Sequence, residues 1–111
     1  MPVELTVRGE GRIPERVEVT AHYVVSEALT NAAKDAEATV VHVQVEATPD
    51  VVRLAVRDDG IGGADPGRGS GLLGLKDRVE AIGGSMILHS SIGEGTELLV
   101  NLPLRPEAVP D

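Results

Sequence analysis

Residues 51–71 read VVRLAVRDDGIGGADPGRGSG, a strand that runs directly into two glycine-rich turns. Val52, Leu54 and Val56 fall on one face of that strand, and Arg53, Ala55 and Arg57 on the other. Asp58 has the parity of the apolar set, so the alternation predicts that its carboxylate points toward the core layer. A buried carboxylate needs donors, because an unpaired buried charge is costly. No Lys or Arg of the strand shares its face. Gly60, Gly62 and Gly63 let the backbone turn tightly and approach another group closely. By itself an Asp-Gly pair between strands reads as a hairpin turn. A carboxylate at a strand end beside bare backbone also reads as a ligand site, and the rest of the chain decides between the two.

Working outward, residues 40–46 form a second alternating strand, with Val41, Val43 and Val45 on one side. Thr48, Pro49 and Asp50 turn it into the 51–58 strand, which predicts a hairpin. Residues 3–8 alternate in the same way. Residues 85–90 and 96–102 complete the strand set, joined by Ile92-Gly93-Glu94-Gly95, with Leu98, Val100 and Leu102 inward. Two stretches change to helical period. In the first, from 17 or 19 to 36, Val25, Ala28, Leu29, Ala32 and Ala36 make an apolar stripe, and Glu27, Asn31, Lys34 and Asp35 line a second face. In the second, 72–82, the stripe is Leu72, Leu75, Val79 and Ile82, stopped by Gly83-Gly84. Residues 64–70 read as a polar loop.

Strands that alternate apolar and polar leave one sheet face wet, so both helices must cover the other. The predicted class is α/β: a two-layer sandwich with a mixed sheet of about five strands and helices on one face. One domain over residues 1–104 is expected, followed by a disordered tail over 105–111.

Composition narrows the chemistry. The 111 residues carry a net charge of −8, one Tyr, no Phe, no Trp and no Cys. Without a basic stripe or aromatic platforms, nucleic acid is not an expected partner. The absence of cysteine excludes disulfides, thiolate metal sites and thiol nucleophiles. No apolar run reaches membrane-spanning length, which reads as a cytoplasmic module whose parent can still be membrane-anchored.

Three features converge on the helical side of the sheet: Glu27 and Asn31 one turn apart, Asp58 with its glycines, and Gly69-Ser70-Gly71 opening the second helix. A helix N-terminus favours an anion. A carboxamide oxygen suits a hard cation such as magnesium, which keeps waters and bridges to phosphates. An inward carboxylate accepts the exocyclic amine of a purine. Together these describe a Mg-nucleotide pocket.

At these residues the chain resembles the catalytic ATP-binding domain of sensor histidine kinases, within the Bergerat ATPase fold shared with gyrase, HSP90 and MutL. EALTNAAK at 27–34 is similar to the family's asparagine box. DDGIG at 58–62 is similar to its first glycine box, GSGLLGL at 69–75 to the second, and Gly95-Thr96 to the small motif before the last strand. The continuation LGLKDRV at 73–79 resembles kinases partnered with NarL-type response regulators. The resemblance covers roughly residues 14–104.

It implies Mg²⁺ on Asn31, the adenine amine on Asp58, and ATP admitted by Gly60 and Gly62. It further implies Gly69, Gly71 and Leu72 around the phosphates, Thr96 supporting the adenine pocket, and Lys34 reaching a phosphate. Glu27 would act as a base or orient the metal's water, with Asn31 completing the catalytic pair. Asp35 departs from the family, which often has His there. The implied reaction is transfer of the ATP γ-phosphoryl to a histidine on a separate dimerisation domain that this sequence does not include. None of His22, His42 and His89 has an acceptor-like context. The isolated domain is expected to be monomeric and its parent a homodimer. Two other readings stay open: an anti-sigma factor serine kinase of the same fold, and a nucleotide-binding module without catalytic activity.

Overall fold

The element order is β1 (Val3–Gly9), α1 (Glu15–Lys34), β2 (Val41–Ala47), β3 (Val51–Asp58), α2 (Leu72–Ala81), β4 (Ser85–Ser90) and β5 (Thr96–Pro103). These elements come from a computed structural model that describes residues 3–9, 13–34, 38–60, 72–90 and 92–104. The five strands form one sheet in the order β1-β2-β3-β5-β4. β1 runs parallel to β2, and every other pair is antiparallel. A parallel pair cannot be closed by a tight turn, so α1 supplies the crossover between β1 and β2. The predicted mixed five-stranded sheet is present.

Strand alternation sets the layers. Val41, Val43, Val52, Leu54, Val56, Leu98, Val100 and Leu102 are buried under the helices. Gln44, Glu46, Arg53, Arg57 and Asn101 on the opposite face are exposed. In the β2–β3 hairpin the Thr48 hydroxyl accepts from Val51 N–H (3.1 Å) and Thr48 N–H donates to the Val51 carbonyl (2.9 Å).

On α1 the buried stripe is Val17, Val24, Ala28 and Ala32, whereas Val25 and Leu29 are half-buried. The sequence placed Val25 and Leu29 at its centre, because 24 and 25 both fit helical spacing to 28 and 32. Alanines at 28 and 32 let the helix axis settle close to the sheet, and the face turns to take in Val24. Thr20 shares that face, and its hydroxyl is satisfied by the Arg16 carbonyl at 2.9 Å.

α2 buries Leu75 and Val79 and stops as expected. Gly84 N–H bonds the Val79 carbonyl (2.9 Å) and Gly83 N–H the Glu80 carbonyl (3.0 Å). Gly83, at φ 82°, takes the left-handed turn that closes such a helix end. Across the helical layer, the Arg78 guanidinium lies 4.3 Å from the Tyr23 ring centroid.

Candidate functional site

β3 ends on Asp58 with the parity that the alternation predicts. The residue is 7% exposed, in register with Val41 of β2 and Thr96 of β5. Gly60 N–H donates to Asp58 Oδ1 at 2.9 Å. No donor among the described residues reaches Oδ2. A ligand amine is the complement such an acceptor lacks.

α1 carries Asn31 across the layer to the same place. Asn31 is 4% exposed, and its Oδ1 is buried with no hydrogen-bond partner among the described residues. A buried acceptor left unmade costs about 1–3 kcal/mol, so its retention points to a missing partner. Asn31, Asp58 and Thr96 converge on one narrow cavity whose apolar walls are Ala28, Val56, Leu88 and Leu98. The part of that cavity lined by described residues holds about 10 Å³, the room of one water. Glu27, one turn before Asn31, is half-buried.

Thr96 is fixed by a residue the sequence did not single out. Its hydroxyl lies 2.8 Å from that of Ser90, its β4 partner. Gly95 before it sits at φ 77°, and a Cβ there would meet the Asp58 carbonyl oxygen at 2.2 Å. Only glycine lets β5 pass so close to the end of β3.

A second unforeseen contact belongs to Asp59. Its Oδ1 accepts from Thr39 N–H (2.8 Å) and Val40 N–H (3.0 Å), and its Oδ2 from the Thr39 hydroxyl. Those bonds, the hydroxyl's first, lower its carboxyl pKa from 3.8 to about 2. They tie the segment entering β2 to the end of β3. Parity signals the difference: if Asp58 points inward, Asp59 points outward.

Gly62, Gly69 and Gly71 lie outside the described residues, as do the side chains of Lys34 and Leu72. A larger hollow of about 430 Å³ lies on the bare sheet face, between residues such as Thr6, Gln44, Ala55, Ile87 and Asn101. Its polar liners are all exposed. The buried unsatisfied acceptor among the described residues, Asn31 Oδ1, is on the helical side.

Residues 16–106 match the family of histidine kinase-, DNA gyrase B- and HSP90-like ATPases. The chain belongs to that family. This ATPase domain is 34% identical over 103 residues to the signal transduction histidine-protein kinase/phosphatase DegS of Brevibacillus brevis, matching 90% of this chain and 26% of that protein. Against the oxygen sensor histidine kinase NreB of Staphylococcus carnosus the identity is 34% over 97 residues, 84% of this chain and 28% of that protein. The domain therefore spans little more than a quarter of these relatives' length. Its fold is shared with the histidine kinase domain of the Erythrobacter litoralis EL346 blue-light activated histidine kinase (TM-score 0.69, 24% identity), over 92% of this chain and 52% of that one. It is shared equally with the ATP binding domain of PrrB from Mycobacterium tuberculosis (TM-score 0.69, 22% identity), over 93% and 81%. These likenesses agree with the resemblance carried by the asparagine and glycine boxes.

The donor set fits the metal that the resemblance implies. Asn31 Oδ1 is a hard oxygen without a partner among the described residues. Among the described residues no group of three or more His, Cys, Asp or Glu side chains is placed to hold a metal. A cation here would take one protein oxygen and draw its other ligands from water and phosphate, as magnesium commonly does.

Proposed function

We propose that this domain binds Mg-ATP and, within a longer sensor kinase, delivers the γ-phosphoryl group to a histidine on a dimerisation domain. The observation that carries the reading is the single cavity shared by the orphaned Asn31 Oδ1, the inward Asp58 and Thr96. Asp58 accepts the adenine amine through the oxygen that Gly60 leaves free. Thr96, held by Ser90, keeps that wall in place. Asn31 holds the magnesium, which when bound neutralises phosphate charge. Gly62, Gly69, Gly71 and Leu72 surround the phosphates, and Lys34 reaches toward them. Glu27 orients the metal's water or serves as a base.

The relatives favour a sensor kinase over an anti-sigma factor. A parent homodimer working in the cytoplasm with a NarL-type response regulator follows from the same reading. No helix among the described residues is long and apolar enough to cross a membrane.

Calorimetry with ATP, with magnesium and again with EDTA, tests the site. We expect a dissociation constant on the order of tens to hundreds of micromolar, −5 to −6 kcal/mol. Affinity should fall when magnesium is chelated, and magnesium alone should give no heat. Equal affinity with and without EDTA would remove Asn31 from the proposed role.

A further inference from the structure

β1 is an edge strand, and all seven of its residues are exposed. Its apolar set, Val3, Leu5 and Val7, lies on the helical face in register with Val41, Val43 and Val45 of β2, yet remains 46%, 63% and 64% exposed. An edge with an uncovered apolar row is a template for another strand. What distinguishes this edge is its order of residues. Read from its centre at Thr6, Val-Glu-Leu-Thr-Val-Arg-Gly is self-complementary: Leu5 mirrors Val7, and Glu4 mirrors Arg8.

We propose that the outer edge of β1 is a self-association surface, at which two copies of this chain pair their β1 strands antiparallel about a two-fold axis through Thr6. That register puts Glu4 opposite Arg8 of the second copy twice, and Leu5 opposite its Val7 twice. Opposed residues share parity, as an antiparallel ladder requires, and all seven residues pair. A slip of two residues in either direction leaves one of the charges facing Thr6 and the other beyond the strand. Arg8 makes no ion pair among the described residues. Glu4 uses Oε2 for His42 Nδ1 at 2.7 Å, so Oε1 remains for a guanidinium. Opposite charges directly across a ladder stabilise it, and like charges disfavour it.

The two sheets would join into one of ten strands, with both helical layers on the same side. This departs from the monomer expected of the isolated domain. One edge ladder buries less than the roughly 800 Å² per partner of a standard stable interface, so the dimer is weak and concentration-dependent. The surface is two strands from Asp58 and does not depend on the proposed ATP reading.

Sedimentation velocity on the whole chain between about 10 µM and about 1 mM tests the pairing. We expect the weight-average sedimentation coefficient of the wild type to rise toward that of a dimer across the range. E4R alone and R8E alone should each stay monomeric, because like charges then face each other across the axis. An equimolar mixture of the two variants should regain association, since each carries two like charges opposite in sign to the other's. Unchanged melting temperatures would show that both variants remain folded. A wild type that stays monomeric throughout would overturn the proposal. So would single variants that associate like the wild type, or a mixture no stronger than its components.

Discussion

Asp58 and Asp59 are chemically identical neighbours at the end of β3, and they belong to two different regions. Asp58 faces the helical layer, 7% exposed, with one oxygen held by Gly60 and no donor among the described residues on the other. Asp59 faces outward, and Thr39 and Val40 occupy both of its oxygens. One carboxylate is incompletely satisfied where a ligand could complete it. The other is spent within the protein and ties two chain segments together. The difference teaches that satisfaction, rather than residue type, separates a recognition group from a structural one. Asn31, buried with its Oδ1 unpaired, falls on the Asp58 side of that line.

The comparison breaks most severely through the backbone both aspartates share. Gly95→Val would drive a Cβ into the Asp58 carbonyl from a left-handed φ. The backbone penalty and the overpacking together should destabilise by about 2–5 kcal/mol. Urea denaturation checks this, and loss of both ATP binding and the Asp59 contacts should accompany it. A Gly95→Val protein as stable as wild type would mean that β5 does not need this close approach.

A smaller effect of opposite sign is expected at Asn31. Asn31→Leu keeps a similar volume and removes the orphaned acceptor, so stability should rise by about 1–3 kcal/mol or at least hold. The same variant should lose the magnesium dependence of ATP binding. A lower melting temperature with magnesium dependence retained would make Asn31 a packing residue.

Asp59→Ala sharpens the contrast with the least expected change. Its melting temperature should fall while the preference for ATP over GTP stays as in wild type. Because the folded pKa of Asp59 lies below its unfolded value, its contribution is present above about pH 4. It is lost as pH falls through about 2. Acid titration of stability should therefore differ between wild type and variant above that window and converge below it.

Much of this was legible in the sequence because it depends on local period. Parity alone turned Asp58 inward and grouped Leu98, Val100 and Leu102 in the core. The spacing of Leu75 and Val79, followed by Gly83-Gly84, marked the second helix and its stop. The illegible parts depend on contacts between distant segments. Ser90 meets Thr96 only because β4 and β5 pair in one register. Asp59 meets Thr39 only because the β2–β3 hairpin takes the register that sets Val41 opposite Asp58. Val24 replaced Val25 in the core because two adjacent valines fit one helical stripe, and packing against the sheet had to choose. The order β1-β2-β3-β5-β4, with its free β1 edge, is likewise a property of long-range pairing.

The most direct measurement compares ATP and GTP binding to wild type and to Asp58→Asn, alongside thermal melts. Guanine presents a carbonyl oxygen where adenine presents its amine, so wild type should set two acceptors against each other with GTP. Leaving a buried group unpaired costs about 1–3 kcal/mol, and ATP should be preferred at least roughly tenfold. Asp58→Asn keeps the shape but exchanges one acceptor oxygen for a donor, so ATP affinity should fall while the melting temperature holds. A folded Asp58→Asn protein with unchanged ATP affinity, or a wild type that binds both nucleotides equally, would contradict Asp58 as the group that reads the base.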